Sequence, residues 1–119
     1  MTAITLCGIV HANGNGGFSA HIAYPGAGGT GGDRAAAMRD AVQRFNLLYE
    51  QPAREGKLPE PSECVTPVAL AAKQRVAIAD RQRWVYEGVQ SISVSGHTIE
   101  LVFYRPGSAE QWVSHRNNI

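Results

Sequence analysis

The stretch Gly14–Asp33, "GNGGFSAHIAYPGAGGTGGD", decides how this chain folds. Seven alternating residues sit between two glycine-rich segments. In "FSAHIAY" (18–24), Phe18, Ala20, Ile22 and Tyr24 fall on one face and Ser19, His21 and Ala23 on the other. Period-two alternation marks a half-buried strand. Before it, "AITLCGIV" (3–10) is rich in strand formers, and "HANGNGG" (11–17) carries the Asn-Gly chemistry of a tight reversal. The two strands therefore read as an antiparallel hairpin with one wet face. After it, "PGAGGTGG" (25–32) interrupts the pattern, and Asp33 is placed to cap a helix.

From Arg34 to about Gln51, the residues Met38, Ala41, Val42, Phe45, Leu48 and Tyr49 recur at three and four, which gives an amphipathic helix one apolar stripe. Asp40 and Arg44 stand four apart in the helix-supporting order. Leu47 falls on the polar side. Pro52 closes the helical region, and "EGKLPEPSE" (55–63) is a polar loop punctuated by proline. Thr66-Pro67 has the form of an N-cap followed by proline at the first helical position, which predicts a short helix over 67–79. "RVAIA" (75–79) also suits a strand paired with "RWVYE" (83–87), and residues 75–87 stay open between helix and strand. "SISVSGHTIELVFYRP" (91–106) reads as a second hairpin, with Gly96-His97 as its turn. "SAEQ" (108–111) has capping-box spacing and predicts a short C-terminal helix.

The 119 residues suffice for one domain with its own core. Two units are expected within it: residues 1–63, a ββα unit with its proline-rich loop, and 64–119, a short helix, hairpin and final helix packed on the same core. The fold class is α+β, a small antiparallel or mixed sheet with an amphipathic helix on one face. Net charge is +1, so no overall basic footprint points to nucleic acid. Cys7 and Cys64 have no neighbour at metal-ligand spacing and read as reduced thiols of a cytoplasmic protein. No run reaches the length of a membrane span.

The glycines allow two readings. A phosphate cradle over Gly26–Gly32 needs N–H groups converging at a helix start, with a cation or hydroxyl to meet the charge. Here no lysine follows, Asp33 puts a negative charge there, and the loop leaves a hairpin rather than a βαβ unit. A flexible turn is favoured, with a nucleotide-binding loop as an alternative. Of the histidines, His21 lies on the wet strand face without a second catalytic group at a fixed spacing, and His97 lies in a turn. No nucleophile elbow, metal cluster or cofactor motif is present. Arg39, Gln43 and Leu47 share one exposed helix strip, where a cation, an amide and an apolar side chain could meet a protein.

The order of these features resembles the HicB-like antitoxin family. Gly16, Gly17 and Phe18 enter the second strand, and Ala20 and Ile22 lie within it. Pro25-Gly26, then Thr30, Gly32 and Asp33, lead into an alanine-rich helix, and "PEPS" (59–62) closes the unit. The likeness covers residues 3–63. It implies a degenerate ribonuclease H-like fold without catalysis, binding a small HicA-type ribonuclease toxin. Many such proteins add a DNA-reading tail. Here the strand opposite Ile99, Leu101 and Phe103 offers Glu100, Val102 and Tyr104, and a glutamate repels phosphate, so DNA binding is not expected.

The expected function is thus stoichiometric protein binding by a chain that is not an enzyme and needs no cofactor or metal. The expected surface is Ser19, His21, Ala23, Arg39, Gln43 and Leu47. A phage or mobile-element inhibitor of a host defence complex, anti-CRISPR-like on the same scaffold, is the alternative within this class. A homodimer is left open.

Overall fold

The computed structural model of the protein describes residues 3–60, 66–76 and 83–107. Strands β1 (Ala3–Ala12) and β2 (Phe18–Ile22) form the antiparallel hairpin, with Val10 opposite Ala20 and His11 opposite Ser19. One side chain organises its loop. Asn13 Oδ1 accepts from the N–H groups of Asn15 at 2.9 Å and Gly17 at 3.3 Å. The Asn13 N–H donates to the Gly17 carbonyl at 3.0 Å. Gly14 and Gly16 take φ of 80° and 83°, a region side chains avoid, so the reversal needs glycine there.

The second glycine segment turns at Gly26 (φ 77°) and then continues as a strand, where a turn throughout was expected. Gly28–Gly31 is strand β3, antiparallel to β2, with Ala20 opposite Gly29. Its glycines serve the approach of helix α1 (Arg34–Arg54). A Cβ on Gly29 would stand 2.3 Å from the Ala41 amide nitrogen, and one on Gly31 2.5 Å from the Ala36 Cβ. With glycine at both 29 and 31, the helix backbone rests almost directly on the strand. Asp40 of α1 then accepts from the Thr30 N–H at 3.0 Å, occupying a donor on this edge strand.

Asp33 caps α1 by accepting from the Ala36 N–H at 2.7 Å. The helix buries Ala37, Met38, Ala41, Phe45, Tyr49 and Ala53, while Leu48 of the expected stripe is exposed. It runs through Pro52 rather than stopping before it. Proline there forfeits one N–H bond and crowds the Leu48 carbonyl one turn earlier, a local cost that the helix bears near its end. The end comes at Gly56 (φ 76°), where Lys57 N–H donates to the Pro52 carbonyl at 2.9 Å and Gly56 N–H to Ala53 at 3.0 Å.

Helix α2 (Pro67–Lys73) starts as expected, with the Thr66 hydroxyl accepting from the Ala69 N–H at 3.1 Å. It stops well short of residue 79. The chain turns at Arg75 (φ 58°), and Val76 N–H donates back to the Ala71 carbonyl at 2.9 Å. Residues 77–79 lie outside the described residues, as do Cys64 and the helix expected from Ser108.

Strands β4 (Arg83–Val94) and β5 (His97–Gly107) form a hairpin longer than its alternating pattern indicates. "RWVYE" is strand, and its partner is β5. The turn is Ser95-Gly96, both at positive φ (48° and 84°), instead of Gly96-His97. Such mirror-image turns match the twist of the flanking strands. β5 also pairs with β1, in parallel, with Leu6 beside Leu101. That pairing ends at Tyr104, so Pro106 lies where β5 has one neighbour only and its missing N–H breaks no ladder to β1.

The result is one mixed sheet of order β3-β2-β1-β5-β4, in which the two expected units share strand contacts. α1 covers one face, over Leu6, Val10, Ala20, Ile22, Ile99, Leu101 and Phe103. Each large buried side chain there contributes about 1.5–3 kcal/mol. The short second helix, expected on the same core, lies on the other side of the sheet. α2 seals part of the opposite face, with Leu70 and Ala71 over Ile9 and Ala23. Among the described residues no helix is long and apolar enough to cross a membrane.

Candidate functional site

Among the described residues, the sheet face turned away from α1 is covered in part by α2, and two regions of it stay uncovered. The first lies at the β1–β2 end. β1 presents His11 and β2 presents His21 on the same face, diagonally across the ladder, because Ile9 is the residue directly opposite His21. Their Nε2 atoms are 3.3 Å apart and their ring planes differ by 14°. His11 Nδ1 lies 2.8 Å from the Ala12 carbonyl oxygen. A carbonyl only accepts, so Nδ1 carries the proton and a neutral His11 turns the Nε2 lone pair toward His21. The His21 imidazole titrates below its ordinary range, first because burial disfavours the charged ring and second because His11 stands beside it. The pair opens into a cleft of about 570 Å³, lined also by Asn13, Ser19, Thr30 and Arg75.

The second open region is on the β4–β5 ribbon. A bulge between Tyr86 and Gly88 changes the facing of β4. Glu87, at the bulge, has its Oε1 3.3 Å from Arg34 Nε of α1 and 2.9 Å from Arg105 Nε of β5, which pins the ribbon to the helix layer. On the other face Tyr86 pairs with Tyr104 and Val89 with Val102. The tyrosine rings meet edge-on with centroids 6.4 Å apart. Tyr86 is 60% exposed and Val89 47%, giving a small apolar, aromatic surface that none of the described residues covers.

The six residues expected to bind a partner do not form one surface. Ser19 and His21 line the histidine cleft. Ala23 is buried at 2% exposure, contrary to expectation. β2 ends at Ile22, and the Ala23 N–H donates to the Cys7 carbonyl at 2.8 Å, which holds the residue under α2. Its methyl side chain is what lets Leu70 and Ala71 seat there. Arg39, Gln43 and Leu47 are exposed on α1, with the sheet between them and the cleft. Leu47, at 71% exposure, is the most open large apolar residue among the described residues.

Three positions escape the sequence pattern. His11 reads there only as an isolated histidine. The hairpin register, set by the Asn-Gly turn, is the signal that joins it to His21. Tyr86 and Val89 sit in and beside a segment whose pattern fits helix and strand alike, so the sequence assigns them no facing. Among the described residues, no group of three or more His, Cys, Asp or Glu stands close enough to hold a metal ion. Comparison with models of protein families, with curated proteins and with solved structures gave no match.

Proposed function

We propose that this chain is a non-catalytic inhibitor that binds a protein partner in fixed stoichiometry, antitoxin-like on a HicB-like scaffold, with a small ribonuclease as its target. The observation that carries this reading is the Tyr86–Val89 surface, which no described residue covers. Aromatic and aliphatic side chains exposed together on a rigid element are typical of the centre of a protein interface. The ribbon that carries them is fixed from behind by the Glu87 ion pairs, so binding would order little that is not already ordered. The outer edge of β4 adds main-chain donors and acceptors that an incoming strand could pair with. The scaffold reading is supported by the β3-β2-β1 meander, by α1 across one face and by a strand parallel to β1. DNA binding finds no support in the ribbon, whose exposed residues include Glu100.

The test is to isolate the tagged chain from its native host, measure the stoichiometry of any complex by light scattering and assay RNA cleavage with and without the chain. The expected result is a small ribonuclease at fixed ratio whose activity returns when the inhibitor is stripped away. The double variant Tyr86→Asp, Val89→Asp should keep its circular dichroism and lose at least a hundredfold in affinity. Cleavage of RNA by the purified chain alone, or a ribonuclease complex indifferent to that variant, would contradict the proposal.

A further inference from the structure

We propose that His11 and His21 form a two-imidazole site for a borderline divalent cation, zinc in the first instance, at the mouth of the β1–β2 cleft. The proposal is independent of the protein-binding reading and stands on the geometry of the pair. Zinc bonded to imidazole at about 2.0–2.1 Å with tetrahedral angles places two ligand nitrogens about 3.3–3.4 Å apart. The Nε2 atoms of His11 and His21 are separated by 3.3 Å.

A second feature points the same way. Metal-ligating histidines characteristically donate their other ring N–H to a carbonyl or carboxylate, which fixes the tautomer and aims the ligating lone pair. His11 has such a bond, with Nδ1 2.8 Å from the Ala12 carbonyl oxygen. For both Nε2 atoms to ligate, the His21 proton must reside on Nδ1, and His21 adopts that tautomer as the cation enters. The backbone supports the pair rigidly. Both histidines belong to paired strands, and the Asn13 side chain holds the reversal that sets their register.

The ligand count defines the site's character. Among the described residues no third His, Cys, Asp or Glu joins the pair, so a site built from these two leaves positions for water or an incoming ligand. Imidazole pairs favour zinc, nickel and copper over the hard cations magnesium and calcium, which seek oxygen. Arg75 lines the same cleft and is exposed, so its charge is screened by solvent. It also offers a cation to an anionic ligand that completes the metal's coordination.

The experiment is calorimetric titration of the full chain with zinc chloride, and separately with magnesium chloride, after removal of chelators. One equivalent of zinc should bind, and magnesium should not. His11→Gln and His21→Gln should each weaken zinc binding at least tenfold, while His97→Gln, Cys7→Ser and Cys64→Ser leave it unchanged. Because a variant can lose its fold, the imidazole proton resonances of the unmodified chain give a second readout. Those of His11 and His21 should shift on adding zinc, and that of His97 should stay. Failure to bind zinc, binding that survives both glutamine variants, or shifts confined to other residues would overturn the proposal and leave the contact a plain N–H···N hydrogen bond.

Discussion

Gly29 has no side chain because α1 leaves no room for one. Its Cβ would fall 2.3 Å from a backbone nitrogen, which cannot swing aside as a flexible side chain could. Gly29→Ala should therefore lower stability by about 1–3 kcal/mol or more, since the helix must lift from the sheet. Gly32→Ala, with open space around it and no positive φ, should stay within about 0.5 kcal/mol. Urea denaturation of both variants checks the contrast. Tyr49 supplies a second residue-scale test. It is wholly buried, its hydroxyl donates to the Lys57 carbonyl, and burial, followed by the neighbouring Tyr24, pushes its pKa above 10.0. The unfolded chain then loses this proton at a lower pH than the folded one, so the bound proton favours folding. That contribution is complete below pH 10 and is lost as pH rises through the raised folded value. Tyr49→Phe should cost about 1 kcal/mol at neutral pH and flatten the alkaline decline, as denaturation at pH 7 and above pH 10 would show.

At the scale of elements, local chemistry was legible where one residue type controls the outcome. Asp33 and Thr66 cap the helices they were expected to cap, and the Asn13-Gly14 reversal joins the two strands it was expected to join. β3 was hidden because "GGTG" has neither β-propensity nor alternation, and its strand state comes from β2 on one side and α1 above it. The end of α2 was hidden for a related reason. Arg75 occupies the left-handed position that glycine usually fills, so no breaker announces the stop. Arg75→Gly should raise stability by about 1 kcal/mol by removing that backbone cost, measured as a higher midpoint of denaturation. At the site, the wet face of the hairpin was legible at Ser19 and His21. Pairing with His11 was not, because it depends on a diagonal contact across the register.

At the scale of the whole molecule, β5 is the strand that unites the chain. It lies between β1 and β4, and Ile99, Leu101 and Phe103 complete the core that α1 covers. Residues 1–63 alone would lose those side chains and the parallel neighbour of β1. That fragment should give the circular dichroism of a largely unfolded chain and unprotected amides. Among the described residues the same architecture leaves one sheet face partly uncovered, at the histidine cleft and at the Tyr86–Val89 surface. The measurement that tests the central claim most directly is ribonuclease activity of the isolated partner titrated with this chain. The account predicts that inhibition rises linearly and saturates at a fixed molar ratio, with Tyr86→Asp, Val89→Asp shifting it by at least a hundredfold. Activity unchanged at a large excess of the chain, or RNA turnover by the chain itself, would contradict it.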